Sequence, residues 1–485
     1  MTPPPTSHSK SIALNATYLG LSRAITSLSR IIYAVFLARM LGAELYGLYN
    51  YGLSWYLILL PISILGLDWV LYKEIPFNRQ RTQFITRNSL FLRILVSTIL
   101  TAGSILTAYI LEPTPEIRIL LIIFSFALLC RNIVLLHYSV FTSLERSYLV
   151  LKSELIFRSL EVTLGITALL LGYGIHEVAL IHTTSWSVQL IYVHWILRRT
   201  IGHITGPISL HYNLSITKKG IPFLVASLSA VWITQGSIFM SRFFGGITDD
   251  LGYIALSIQA LVIITTITSE IGNAALPTIC RSMTEGQDKS LAYINETLRI
   301  GSFMGPTLFI LSFFLIDPLL KLLVGAEYLP SAKTIPLILL LVTPLFWNTS
   351  LMGLVGSNGK YVSLITANLA GSLSFTISYI YLSPLLHDTG IILSIGAGSI
   401  TTFLFYYRII GKDYSIDTKK HLLLPLISGT SGVMTAIFFY NINDSLLLMA
   451  LSFLFMLITA ILTGAIKKSD VRKFASAFNG SVPRN

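Results

Sequence analysis

Seven arginines stand inside apolar runs of this chain: Arg23, Arg30, Arg39, Arg93, Arg131, Arg158 and Arg299. An ionised side chain within a membrane span costs about 2.5–3.5 kcal/mol on insertion scales, so such residues face a protein interior or an aqueous cavity. Guanidinium stays charged and grips phosphate oxygens with two parallel donors, whereas lysine acts as a point charge. Arginine in such surplus suits a multivalent anion. Arg23 and Arg30 are seven residues apart, on one helical face and about 10 Å apart along the axis, with Ser27 on the same stripe. Arg39 falls on the opposite face at the end of its run and reads as structural, snorkelling or bonding to the turn that follows. The candidate anion-binding set is therefore Arg23, Arg30, Arg93, Arg131 and Arg299. The competing reading is that these arginines neutralise buried glutamates or reach headgroups.

Two groups of carboxylates could couple a transported charge to an ion. Glu154, Arg158 and Glu161 share one helical face at i, i+4, i+7 spacing, which reads as an internal ion pair or, more sharply, as a proton or sodium site. Thr266, Glu270, Asn273 and Pro277 make a second stripe, a carboxylate beside a proline that frees backbone groups for other partners. Glu270 is the first candidate for ion coupling, Glu154 and Glu161 the second. His137, His182 and His194 are scattered and read as core or interface residues.

No phosphate-cradling GxxxxGK[ST], no GxSxG in a strand context and no HExxH occurs. An enzyme is not expected, nor a cofactor or metal. Cys130 and Cys280 lie far apart without metal or redox spacing. A basic balance of +12 would suggest nucleic acid in a soluble protein, but here the basic residues fall in short loops between apolar runs. Nucleic acid is accordingly not an expected partner; membrane lipids are. Energy must then come from an ion gradient, the membrane potential or the substrate gradient.

The elements that hold these residues are membrane helices. Of 485 residues 53% are hydrophobic and 12% charged, a composition that belongs in lipid. Runs long enough to cross a hydrocarbon core of about 30 Å fall near 12–40, 43–72, 88–111, 117–143, 148–172, 176–197, 219–242, 250–280, 291–324, 332–356, 361–383, 389–410, 421–440 and 445–466. The expected fold is an all-α polytopic membrane protein of about fourteen spans. The polar, Pro-rich MTPPPTSHSK is unlike a signal peptide, so the first helix should insert and stay. With the N-terminus inside, twenty-three of the 34 Lys and Arg fall in inner segments, four in outer ones and seven in spans, which assigns both termini to the cytoplasm.

One stretch repeats. Arg30 to Gly52, RIIYAVFLARMLGAELYGLYNYG, is an apolar helix, a small-residue turn over Gly42 to Gly47 and a second apolar run; Phe239 to Leu256, FMSRFFGGITDDLGYIAL, is a partial copy. Arg39 answers to Arg242, Gly47 to Gly252 and Arg93 to Arg299. These pairs argue for two six-helix lobes, residues 1–210 and 211–411, followed by two extra helices and a tail, 412–485. Six helices return the chain to one side, so the copies are parallel, with substrate expected between them.

FLARMLGAELYGLYNYG resembles the entry signature of lipid-linked oligosaccharide flippases, the O-antigen or Wzx-type transporters of the multidrug/oligosaccharidyl-lipid/polysaccharide superfamily. Helix number and short loops extend the resemblance along the chain. It implies alternating access by two lobes that move an undecaprenyl-diphosphate-linked oligosaccharide from the inner to the outer leaflet of a bacterial inner membrane. Implied partners are that lipid-linked glycan, a coupling ion and the polysaccharide polymerase machinery. The family's cationic central cavity agrees with Arg23, Arg30, Arg93, Arg131 and Arg299. A peptidoglycan lipid II flippase or an ion-coupled multidrug antiporter of the same superfamily is the near alternative. A polymerase or ligase is further off, because the large external loop of those enzymes has no counterpart here.

Overall fold

The computed structural model describes residues 6–204, 206–245, 249–285, 287–439 and 445–465, and of these all side chains but those of 6–13, 16, 245, 249, 269–285, 287–289, 357 and 445. Among the described residues every long element is a helix. In order they are α1 (Thr6–Ile64), α2 (Leu67–Phe77), α3 (Thr82–Leu111), α4 (Pro115–Ser143), α5 (Ser147–Leu170), α6 (Ile175–Ile201), α7 (Leu210–Gly245), α8 (Asp249–Glu285), α9 (Gln287–Leu323), α10 (Ser331–Leu339), α11 (Val342–Ser357), α12 (Tyr361–Ile410), α13 (Leu424–Phe438) and α14 (Ser445–Leu462). Nine stretches of the described chain are long and apolar enough to cross a membrane. In lipid an apolar face needs no protein cover; Leu369, Leu373, Ile377 and Ile380 accordingly form an exposed stripe along α12.

α1 and α12 each bend back through a single non-helical residue, Gly42 (φ +74°) and His387 (φ +48°). At Gly42 the second limb starts on a borrowed cap: the Ala43 N–H donates to Glu327 Oε1 at 2.8 Å, satisfying a donor that a helix start leaves open. The expected turn over Gly42 to Gly47 thus shrinks to one residue. Gly47 lies inside the second limb and has a different task. A Cβ there would stand 2.8 Å from the Gly252 nitrogen, and one on Gly252 would stand 2.0 Å from the Ala43 carbonyl oxygen. Two positions that answer to each other in the sequence copy therefore meet backbone to backbone.

The repeat-related arginines behave reciprocally. Arg39 donates across to the Leu322 carbonyl at 2.9 Å, where α9 ends; Arg242 pairs at 2.9 Å with Glu112, just past the end of α3. Arg39 is structural as expected, but its partner is the C-terminal end of a helix in the other half, not its own hairpin turn. A cation at that end meets carbonyls with no partner in their own helix.

Connections gather at the two ends of the helices. One end holds the Gly42 bend, Glu112, Arg242 and Glu327. The other joins Glu74 to Lys219 at 2.7 Å, Arg79 to Glu145 at 3.3 Å, and stacks Trp69 on Phe223 with centroids 5.1 Å apart. Between the ends α1 packs on α4 and α5 of the first half and on α7 and α8 of the second, which makes it the spine on which a central cavity is built.

Candidate substrate cavity

A cavity of about 490 Å³ opens along α1. Ser22, Arg23, Thr26, Arg30 and Tyr33 face it from one stripe, spaced as successive helical turns require. Arg23 and Arg30 thus share a face as their spacing dictated. Ser27, expected with them, is buried away from the lining, and Thr26 takes its place, donating to Glu154 Oε2 at 2.9 Å. α4 adds Arg131, and α5 adds Glu154, Arg158 and Glu161.

Arg131 and Arg158 approach one another without annulling one another because the wall between them is tuned for cations. Their guanidinium carbons stand 5.0 and 4.2 Å from the Trp186 ring centroid, whose negative face attracts both. Arg158 is a strut: it pairs with Glu161, lies 3.7 Å from Glu154 and donates to Gln189 Oε1 at 2.9 Å. Glu154 in turn accepts from Tyr138 at 2.7 Å and from Gln189 Nε2 at 3.2 Å. The ion-pair reading of Glu154, Arg158 and Glu161 holds for the geometry. Arg131 donates one hydrogen bond, to Tyr56 Oη at 2.6 Å. Arg30 forms no hydrogen bond or ion pair with another described residue, although Arg131, Arg158 and Glu154 are all within Coulombic reach.

The remaining candidates lie elsewhere. Arg93 is fully buried, pairs with Asp68 and donates to the Asn132 carbonyl at 3.0 Å, so it ties α2, α3 and α4 together behind the wall. Arg299 is not among the described residues of the lining; it pairs with Glu296 at 2.7 Å, one turn back on α9. The side chains of Glu270, Asn273 and Pro277 are outside the described residues. Thr266, from the same stripe, donates to the Val262 carbonyl at 2.7 Å.

Counting Arg93 against Asp68, the described lining carries Arg23, Arg30, Arg131 and Arg158 against Glu154 and Glu161. Arg158 is held by those two glutamates, and Arg30 and Arg131 form no ion pair with another described residue, which leaves two cations of the described wall to meet a dianion. The second half contributes Val231, Thr234 and Gln235 from α7 and Gln259 and Val262 from α8, none of them charged. Sequence reasoning missed Asp68, Tyr56, His182, Trp186 and Gln189. Asp68 had a signal, an acid at the end of an apolar run just after the Leu65–Gly66 break, where both residues have positive φ. The others are polar residues on helices whose facing side no periodicity specified.

Polysaccharide biosynthesis proteins form a family that matches residues 12–283. No curated protein matches the sequence. Among solved structures, the lipid II flippase MurJ in an inward closed conformation is similar with a TM-score of 0.69 at 14% identity, covering 93% of this chain and 99% of its own. The MATE multidrug transporter DinF-BH is similar at 0.61 and 13% identity, with 84% and 96% covered. The eukaryotic MATE transporter AtDTX14 is similar at 0.58 and 14%, with 83% and 95% covered. At such identities these likenesses speak for the fold alone. With more than half of its length matched by one family, the chain belongs to the polysaccharide biosynthesis proteins, a flippase family of the multidrug/oligosaccharidyl-lipid/polysaccharide superfamily.

Proposed function

We propose that the protein moves an undecaprenyl-diphosphate-linked oligosaccharide from the cytoplasmic to the outer leaflet of a bacterial inner membrane, supplying surface polysaccharide such as O-antigen to its polymerase. The observation that carries this reading is the pair Arg30 and Arg131 on one cavity wall, cations that form no ion pair with another described residue and whose donors remain for a ligand. Arg23 lies about two turns along the same stripe, toward the inner end, and meets the head first. Residues 1–210 and 211–411 act as the two lobes, 412–485 as an accessory pair of helices and tail, with both termini cytoplasmic and about fourteen crossings in all. The Gly47–Gly252 meeting supports that division, since only positions on a pseudo-twofold axis can touch their own copies. A dianion drawn outward moves with a potential negative inside, worth about 2.3 kcal/mol per charge per 100 mV. An ion, proton or sodium, resets the empty carrier, with Glu154, Glu161 and Glu270 as the acidic candidates.

A lipid II flippase is the second reading, favoured by the extent of the MurJ likeness. Complementation separates the two. Expressed in cells depleted of their surface-polysaccharide flippase, the protein is expected to restore surface glycan, and in cells depleted of their lipid II flippase it is expected not to restore growth. Rescue of growth alone would favour the second reading, and rescue of neither, with the protein present in the membrane, would remove both.

A further inference from the structure

His182 is the one imidazole on the described wall of the cavity, and both its ring nitrogens are committed. Nδ1 lies 2.6 Å from Glu161 Oε1, and Nε2 lies 3.0 Å from Tyr56 Oη. An ionised carboxylate only accepts, so Nδ1 carries the hydrogen. Tyr56 already accepts from Arg131 at 2.6 Å, so its own hydrogen points at Nε2. The four groups form a chain of one polarity: Arg131 donates to Tyr56, Tyr56 to His182, and His182 to Glu161, whose other oxygen is held by Arg158. The imidazole in this chain is neutral, and its Nε2 lone pair is the place where a proton can add.

The charged and titratable groups that face it come from three other helices: Glu161 and Arg158 on α5, Arg131 on α4 and Tyr56 on α1, with Arg30 of α1 across the cavity. Two guanidinium groups oppose a third cation there. An anion seated on Arg131 and Arg30 offsets that opposition. It also draws Arg131 toward the ligand, which leaves Tyr56 Oη free to accept from a protonated Nε2.

We propose that binding of a diphosphate in this cavity is coupled to uptake of one proton at His182 Nε2, making the proton the coupling ion. The step adds a proton from the bulk, delivered by hydronium or a buffer acid, to the Nε2 lone pair and turns the Tyr56 hydroxyl hydrogen away, so that Nε2–H donates to Tyr56 Oη; no other covalent bond changes. Sodium fits poorly. It would need several oxygen ligands, yet the Glu161 oxygens are taken by His182 and Arg158 and the Glu154 oxygens by Thr26, Tyr138 and Gln189, and no metal-holding group of three His, Cys, Asp or Glu exists among the described residues.

The proposal rests on the flippase reading, and titration calorimetry tests the two separately. The full-length protein in detergent is titrated with farnesyl diphosphate, a soluble short isoprenyl diphosphate, in buffers of different ionisation enthalpy. Wild type is expected to take up more protons per ligand than His182→Asn, by about 0.3 or more at some point of a pH series from ~4.5 to ~7. Asparagine keeps a donor for Glu161 but cannot titrate, while His194→Asn, which alters the imidazole pair His137–His194 outside the lining, should match wild type. Equal uptake by wild type and His182→Asn would overturn the proposal and leave the diphosphate site standing. Absence of binding by wild type would overturn both. If His182→Asn does not fold, Tyr56→Phe removes the acceptor that the protonated Nε2–H needs, a loss larger than that of the neutral O–H to Nε2 bond, and is expected to move the uptake to lower pH; an unchanged profile would overturn the proposal. Affinity that differs between sodium and choline chloride at equal ionic strength would overturn the choice of proton over sodium.

Discussion

The two walls of the cavity come from halves that answer to each other in sequence, and they differ in kind. Among the described residues the first half presents four arginines, Asp68 and two glutamates, braced by Tyr138, His182 and Gln189; the second presents amides, a threonine and valines. The halves share the close helix crossing at Gly47 and Gly252 and the reciprocal reach of Arg39 and Arg242, yet among the described residues not the charge. The likeness of the halves therefore lies in the scaffold, and their difference in the site. A cavity charged on one wall can hold a diphosphate there while the other wall slides past it. If both walls gripped the anion, the halves would be cross-linked through the substrate.

The scaffold they share should be the most sensitive to change. A valine at Gly252 would drive its Cβ to within 2.0 Å of the Ala43 carbonyl oxygen, and backbone on both sides leaves no flexible neighbour to yield. Gly252→Val is expected to lose more than about 4 kcal/mol, read as absence of monodisperse protein after extraction. Next comes the bracing of the charged wall. Glu161→Ala leaves Arg158 buried beside a single acid 3.7 Å away, and breaking such a pair costs about 3–5 kcal/mol, read as a large drop in thermal stability. The double change of Arg158 and Glu161 to apolar residues of similar volume should recover most of that loss.

Function separates the walls next. Arg30→Gln and Arg131→Gln should each lower translocation by about 10–100-fold at normal expression, the size of one charge-assisted contact, with Lys rescuing only in part. On the opposite wall Gln235→Ala should change translocation less than about threefold, within the ordinary effect of one neutral hydrogen bond. Smallest of all, Arg299→Gln changes a residue outside the described lining and should leave translocation near wild type. Losses of equal size on both walls would abolish the distinction drawn between them.

How much of this was legible beforehand follows from what a pattern can encode. Helix positions were readable because a span needs a long apolar run, and the Arg23–Arg30 face because seven residues make nearly two turns. The meeting of Gly47 and Gly252 was half legible: the copy revealed the pair, but only the crossing of α1 and α8 brings the two into contact. Arg93 and Arg299 look alike in sequence, both in apolar helices and both near the inner end. What separates them is their place relative to the cavity: Arg93 ties to Asp68 directly behind the wall, whereas Arg299, paired with Glu296 on α9, is outside the described lining. His182 illustrates the same limit. Its neighbours Tyr56 and Glu161 lie more than a hundred and about twenty residues away in sequence, and no spacing rule joins them.

The most direct measurement asks which phosphate chemistry the first-half wall prefers. Native mass spectrometry of the detergent-solubilised protein would compare undecaprenyl diphosphate with undecaprenyl monophosphate, for wild type, Arg30→Gln and Arg299→Gln. With Arg30 and Arg131 both facing the ligand, a preference of about tenfold or more for the diphosphate is expected, equivalent to about 1.4 kcal/mol, lost in Arg30→Gln and kept in Arg299→Gln. Equal binding of the two lipids by wild type, or a diphosphate preference that survives Arg30→Gln, would contradict the assignment of the charged wall to the diphosphate.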